Sequence, residues 1–486
     1  MSTKNNTENN TEYNSYDKVD IQCPYCFEKF KHYEVGFRAT PISPETKRRW
    51  ESLRKEKIQN DDMDGQKRYE KMLELAEKFG EKTDEVFLDY WRKMGWSSSM
   101  DQLYEVGDGY TENNHSGNAR RVSTIKDPVI GIYNDGLTHS KKPDQFGFIT
   151  EAVDIRGPEE GTSEKRVCPY CHNLLPKNYG RNPVKFIAMV GVSGAGKTVM
   201  LSRLLDRINK ILPQVGYSAI KPDYYTADSY VKQYKIEQDK VMPMGTNKTQ
   251  FKPPIFLDVK KNNTVTTLVL YDIAGENCVN AEKINVIGPF VKNADGIIML
   301  LDPEQIDTFD LSERMNDSVT AALDPDSVLN AMASAFLLDE DQKSKVPIAV
   351  TFSKSDLFRI AKVDGEAIIG ENSNIFKSLD YKNNSFMIDE YRNVDGEVRR
   401  IVRKYCNELL VSLQNLFETY GFFAISTLGH DTEKESDDKY YLRMNIEQTR
   451  IEEPLMWLMY NWNMIDQYTE REKKSPLLRW FGGKKS

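Results

Sequence analysis

The stretch VKFIAMVGVSGAGKTVMLSRLLDRI, residues 184–208, joins an apolar run, a glycine-rich turn and an amphipathic run. VKFIAMV is short and continuously apolar apart from Lys185, the pattern of a strand buried on both faces. In TVMLSRLLDRI, Leu201, Leu204, Leu205 and Ile208 recur at spacings of three and four, the stripe of a helix. Between them, Gly191-Val192-Ser193-Gly194-Ala195-Gly196-Lys197-Thr198 fits G-x-x-x-x-G-K-[ST]. A loop that leaves a buried strand and enters a helix brings backbone N–H groups and the helix N-terminus onto one phosphate group. The phosphate-contacting set is therefore Gly191, Ser193, Gly194, Ala195, Gly196, Lys197, Thr198 and Val199. Lys197 would reach the β- and γ-phosphates, and the Thr198 hydroxyl would hold Mg²⁺.

The text beyond this stretch alternates strands and helices. A hairpin, IFLDVKKNNTVTTLVLYD, is followed by the apolar runs ADGIIMLLD, VPIAVTFSK and GFFAIST with helical text between them. The pattern predicts an α/β fold with a mostly parallel central sheet covered on both faces. Asp272 ends the apolar run of LVLYDIAGEN, where a phosphate-loop protein needs a carboxylate to complete the Mg²⁺ shell. Gly275 can offer its N–H to the γ-phosphate. Asp272-Ile273-Ala274-Gly275 resembles the D-x-x-G element of translation-factor-like and Ras-like P-loop GTPases.

That resemblance implies further elements in a set order. Ser353-Lys354-Ser355-Asp356 resembles the [NT]-K-x-D guanine element, and Ser426-Thr427-Leu428 resembles S-A-[KL]. Two carboxylate oxygens at Asp356 suit guanine N1–H and the 2-amino group, donors that adenine does not present together. Lys354 would lie along the base. Ser353 and Thr427 depart from the family pattern. Glu276 stands where Ras-like proteins carry glutamine; it either positions the attacking water, with slow hydrolysis that needs a partner or self-association, or complements a helix start. The switch threonine that would close over Mg²⁺ falls in KVMPMGTNKTQFKPP as Thr246, preferred, or Thr249. No arginine finger is assigned.

Upstream, two CPYC knuckles supply Cys23, Cys26, Cys168 and Cys171, separated by 141 residues between Cys26 and Cys168. Four thiolates make the tetrahedral set of structural Zn²⁺, a split ribbon carrying a helical insert; a redox dithiol and two separate half-sites are the alternatives. His172, beside Cys171, reads as a surface or packing residue. Lys165, Arg166, Lys177, Arg181 and Lys185 form a basic cluster, either solvated or facing nucleic acid. Cys406 is expected in the core, on one helix with Val398, Ile401, Val402, Tyr405, Leu409, Leu413 and Leu416. Cys278 is read as structural.

The chain of 486 residues, with net charge −8 and 29% charged residues, is expected to be soluble, to make nucleic acid an unfavoured partner overall and to exceed one ordinary core. No apolar run reaches the length of a membrane span, and the polar N-terminus resembles neither a signal nor an anchor. Cysteines in metal-type pairs suit a reducing, cytoplasmic setting. The expected organisation is a disordered tail (1–19), a first knuckle (20–43), a helical insert (44–100), a β-rich segment with the second knuckle (101–183), a GTPase domain (184–465) and a C-terminal tail (466–486). The CPYC pairs, the GTPase elements and the late PLMWL helix together resemble prokaryotic double-GTPase proteins of conflict and defence systems. That resemblance implies a protein partner, either a second GTPase or an effector. Two other readings stay open: a GTP-binding scaffold that hardly hydrolyses, and an ATP-dependent nucleic-acid remodeller directed by the zinc ribbon.

Overall fold

The computed structural model describes residues 15–78, 80, 82–95, 127–132, 139–158, 161–191, 194–220, 236, 240–242, 252–274, 288–312, 329–330, 343–435 and 439–469. The chain divides between Pro183 and Val184 into two compact units.

The first unit begins with a two-stranded knuckle, β1 (Ile21–Gln22) and β2 (Lys29–Phe30), and continues into β3 (Gly36–Arg38). Three helices follow. α1 (Pro44–Gln59) opens with Ser43 accepting from the Thr46 amide and Pro44 in the first turn, both favoured at a helix start. α2 (Met63–Lys78) packs on it through Trp50 and Ala76, joined by Leu53, Tyr69, Met72 and Leu73. α3 (Glu85–Lys93) is capped by Asp84 and buries Phe87, Leu88, Tyr90 and Trp91. Short strands complete the unit: β4 (Val129–Ile130), β5 (His139–Pro143), β6 (Ile149–Asp154), β7 (Thr162–Ser163) and β8 (Arg166–Val167). They form two three-stranded sheets, ordered β4-β3-β8 and β5-β6-β7.

The second unit is a seven-stranded sheet. Its strands are β9 (Val184–Gly191), β10 (Ser218–Ile220), β11 (Ile255–Lys261), β12 (Thr264–Ala274), β13 (Gly296–Leu301), β14 (Ile348–Phe352) and β15 (Tyr420–Ala424), and the first is followed by helix α4 (Lys197–Ile211). The order is β10-β11-β12-β9-β13-β14-β15. β12, β9, β13, β14 and β15 run parallel, whereas β10, β11 and β12 are antiparallel. The expected hairpin is the β11–β12 pair, turning at Asn262 with φ 54°. Every residue of β13 and β14 is buried, which is why both read as continuous apolar runs. Each such Val, Leu or Ile contributes about 2 kcal/mol.

Helices α5 (Ile388–Tyr405), α6 (Asn407–Leu416) and α7 (Glu453–Asn461) belong to this unit. The late aromatic helix packs on the sheet unit's core: the Trp457 ring meets Phe423 at 5.5 Å and Tyr391 at 6.2 Å, and Trp462 donates to the Asp295 carbonyl at 3.0 Å. The continuous helix expected around Cys406 is instead two. Cys406 has φ −138° at the break between α5 and α6 and is half-buried, so it is not a core residue, although Val398, Ile401, Val402, Leu409 and Leu413 are.

Candidate functional site

β9 occupies the middle of the sheet, and its carboxyl end leads into the glycine-rich segment before α4. Gly191 closes the strand with Leu300 of β13 so near that a Cβ would stand 2.8 Å from the Leu300 carbonyl oxygen. Only glycine fits there. Gly196, the N-cap of α4, has φ 76°, and a Cβ would meet nothing within 4 Å, so its demand is conformational and its outer side is open. No side chain caps α4 and its first turn holds no acid, leaving the N-terminal end of the helix dipole suited to an anion.

Parallel pairing with β12 sets the next residue. Ala274 pairs with Gly191 and Asp272 with Met189, so Asp272 stands at the root of the loop. Its Oδ2 accepts from the Thr198 hydroxyl at 3.2 Å and from Lys252 Nζ at 3.1 Å, with both Asp272 and Thr198 buried. Lys197 is buried too, and its Nζ donates to the Gly191 carbonyl at 2.5 Å. A threonine hydroxyl and a carboxylate converging at the head of an anion-ready helix form a hard-oxygen donor set that fits Mg²⁺. Gly194, Ala195 and Val199 lie in the same loop and helix start.

A second group forms at the carboxyl ends of β14 and β15. Ser353 donates through its hydroxyl to the Leu301 carbonyl at 3.0 Å, so it ties the loop to β13. Lys354 is left-handed (φ 50°), a conformation costly for a non-glycine residue, and its Nζ is clamped by Asp302 at 2.5 Å and Glu304 at 2.6 Å. Ser426 donates to Asp356 Oδ1 at 2.5 Å and accepts from the Gly429 amide at 3.0 Å. Thr427 is buried beside it, and the Leu428 carbonyl accepts from the Glu447 amide at 2.8 Å. Thus the structure brings Ser353, Lys354 and Asp356 together with Ser426, Thr427 and Leu428, as it brings Lys197 and Thr198 together with Asp272. Ser193, Thr246, Thr249, Gly275, Glu276 and Cys278 lie outside the described residues.

Sequence reasoning missed Asp302, Glu304 and Lys252. Asp302 carried the same signal that identified Asp272, an acid closing an apolar strand. Lys252 carried only the Pro253-Pro254 pair that follows it.

In the first unit the four cysteines meet. Cys23 and Cys171 sulfurs stand 3.7 Å apart, as do those of Cys26 and Cys168, and all four lie within 4.8 Å of one another. The edge of a tetrahedron built with Zn–S bonds of about 2.3 Å is about 3.8 Å. The cluster therefore has the dimensions of a zinc site. Both knuckles are built alike. The Phe27 and His172 amides donate back to the Cys23 and Cys168 carbonyls at 3.1 and 3.0 Å, and both residues are left-handed at φ 60° and 54°. The Tyr25 and Tyr170 amides each point at the first sulfur of their knuckle at 3.4 Å. Burial pushes the Cys23 and Cys171 thiols up, whereas hydrogen bonds from Cys168, Cys171 and Cys23 hold Cys26 low.

The helical insert reaches this cluster through α3: Trp91 donates to Asn173 at 2.8 Å and Tyr90 to the Tyr25 carbonyl at 3.2 Å. His172 packs, as expected, and also meets Asp84 at 2.9 Å, which pairs as well with buried Arg38 at 2.6 Å. Burial raises the Asp84 carboxyl, but the His172 hydrogen bond and the Arg38 charge outweigh it and hold it below its usual value. Members of the basic cluster meet partners within the chain. Arg166 is fully buried and donates to the Tyr179 carbonyl at 2.8 Å, while Arg181, Lys177 and Lys185 pair with Asp144, Glu164 and Asp295.

Residues 185–396 match the family model Double-GTPase 2. The match covers the central strands, the phosphate loop and the Lys354–Asp356 segment, and bears out the double-GTPase resemblance; with the sheet order it supports guanine-nucleotide binding. SaeC of Mycolicibacterium smegmatis, named as an ESX-1 scaffolding and assembly protein, is 24% identical over 341 residues, covering 64% of this chain and 85% of its own. Solved structures similar to the chain include the Arl6 BBS3 small GTPase of Trypanosoma brucei with GppNp bound, at 11% identity, TM-score 0.24, 58% of this chain and 99% of that one. Era of Aquifex aeolicus bound to GDP·AlF4⁻ is 14% identical with TM-score 0.22, covering 51% of this chain and 52% of its own. The GTP-bound Ski7 GTPase-like domain of S. cerevisiae is 12% identical with TM-score 0.28, covering 59% and 52%. Among the described residues no helix is long and apolar enough to cross a membrane.

Proposed function

We propose that the chain is a GTP-binding and GTP-hydrolysing switch, working with Mg²⁺ and carrying a structural zinc module. The observation that carries this is the convergence of Lys197, Thr198 and Asp272 at the head of α4. In this reading the backbone amides from Gly191 through Val199, with Ser193, cradle the phosphates, and Lys197 neutralises the β- and γ-oxygens. Thr198, Asp272 and Thr246 would hold Mg²⁺, which when bound would supply positive charge against the charge developing on the phosphates. Gly275 donates to the γ-phosphate, and Glu276 orients the attacking water while adding negative charge beside it, so turnover alone is slow. Asp356 accepts from guanine, its carboxylate steered by Ser426, with Lys354 along the base and Ser353, Thr427 and Leu428 shaping the pocket. Cys23, Cys26, Cys168 and Cys171 hold Zn²⁺.

The chain works in the cytoplasm with a protein partner, a second GTPase, an effector or another copy of itself, in a bacterial signalling, assembly or defence system. The name of the SaeC relative supports the assembly branch. It also favours a second reading, a scaffold that binds GTP with little hydrolysis, which Glu276 permits. Single-turnover phosphate release from GTP·Mg²⁺ separates the two. We expect slow release that Lys197→Ala abolishes; tight GTP binding with no release, alone or with a partner, would establish the scaffold.

A further inference from the structure

Lys252 was no part of any motif, yet it shares one oxygen with the group that defines the magnesium site. Its Nζ lies 3.1 Å from Asp272 Oδ2, the same atom that accepts from the Thr198 hydroxyl. The lysine side chain is 23% exposed and the aspartate side chain 2%, so the pair is shielded on the carboxylate side and open to solvent on the other.

The placement is built into the backbone. Pro253 and Pro254 fix two successive φ angles and keep Lys252 extended, and they lead into β11. Ile255 of β11 pairs with Leu270 of β12 in an antiparallel register. Carried backward, that register brings the residues just before Ile255 alongside Asp272 and Ile273. A stiff entry and a fixed register thus deliver a cation to Asp272 Oδ2.

A buried carboxylate without a counter-charge is costly. A lysine supplies one positive charge and Mg²⁺ supplies two, and both seek the same oxygen. We infer that Lys252 competes with Mg²⁺ for Asp272, so that it sets the Mg²⁺ concentration at which the chain retains guanine nucleotide. This rests on the nucleotide reading above and adds a regulating residue to it. Lys252 guards the site against collapse when the ion leaves, and it must be displaced when the ion enters. It is a positioning residue for Asp272, not a phosphate ligand.

The test is retention of fluorescent mant-GDP by the full zinc-loaded chain during titration with Mg²⁺, for the parent, Lys252→Gln and Lys252→Arg. A charge-assisted contact of this kind corresponds to about tenfold in affinity. Lys252→Gln should therefore retain nucleotide at about tenfold lower Mg²⁺ than the parent, with equal affinity once Mg²⁺ saturates, while Lys252→Arg keeps the parental midpoint. A midpoint in Lys252→Gln that is unchanged or raised overturns the inference. So does affinity lost at saturating Mg²⁺, because Lys252 would then be acting on the phosphates. Failure of the parent to retain mant-GDP at any Mg²⁺ would instead overturn the nucleotide reading, and this one with it.

Discussion

The cysteine unit and the sheet unit are held together by different means. In the sheet, β12 runs 11 residues and β9 runs 8, and the interior strands bury nearly every side chain. In the cysteine unit β1, β2, β4, β7 and β8 have 2 residues each, too few to form an apolar layer. There the buried aromatics of α3 and the α1–α2 cluster are joined by four sulfurs, by the Arg38–Asp84–His172 contact and by Arg166 spread over backbone carbonyls and the Phe148 ring at 4.7 Å. The sheet unit builds one continuous apolar core along long strands, whereas the cysteine unit adds buried polar contacts and a sulfur cluster to smaller apolar clusters.

Metal removal breaks the comparison most severely. Structural zinc contributes on the order of 10 kcal/mol to small metal-bound folds. Cys168→Ser or a strong chelator should abolish amide-exchange protection in β1, β2, β3 and α3 while β9, β13 and β14 stay protected, read by hydrogen exchange with metal analysis. Equal loss in both units would show that they do not differ in this way.

Asp84→Asn comes next. Arg38 is fully buried, and removing its partner should cost about 3–5 kcal/mol in the cysteine unit, measured by denaturant unfolding with zinc held constant. The sign with pH follows from a carboxyl held low in the fold. Its contribution is complete above the usual value of 3.8 and is lost as pH falls through the lowered value, so parent and variant should converge in acid. A gap that persists below that point would mean the charge is not what matters.

Ser426→Ala is the mildest. The hydroxyl steers Asp356 and accepts from the Gly429 amide, and its loss should cost about 1 kcal/mol, or about fivefold in GDP affinity, with no change in thermal stability of the cysteine unit. Unchanged affinity would remove Ser426 from the site.

Legibility in the sequence followed the same division. The strands were readable because burial on both faces leaves continuous apolar text, and Lys197, Thr198 and Asp272 were readable because each ends or follows such a run. Cys23, Cys26, Cys168 and Cys171 were readable as donors, since the CPYC spacing is local and repeated. What was not readable were contacts made by the tertiary fold: Asp302 and Glu304 on Lys354, Lys252 on Asp272, Asp84 on His172. The partners of the basic cluster were hidden for the same reason, because charge counted along the chain does not show that Arg166 is buried or that Arg181 meets Asp144. The break at Cys406 left no mark, as the apolar spacing runs through it unchanged.

The account depends above all on a triphosphate site whose base is chosen by Asp356. Calorimetric titration of the zinc-loaded chain and of Asp356→Asn with the Mg²⁺ complexes of GDP, XDP and ADP tests this directly. The account predicts that the parent binds GDP over ADP by at least about a hundredfold, and that Asp356→Asn loses GDP and gains XDP. Binding of ADP as tightly as GDP, or a GDP affinity indifferent to Asp356→Asn, would contradict it.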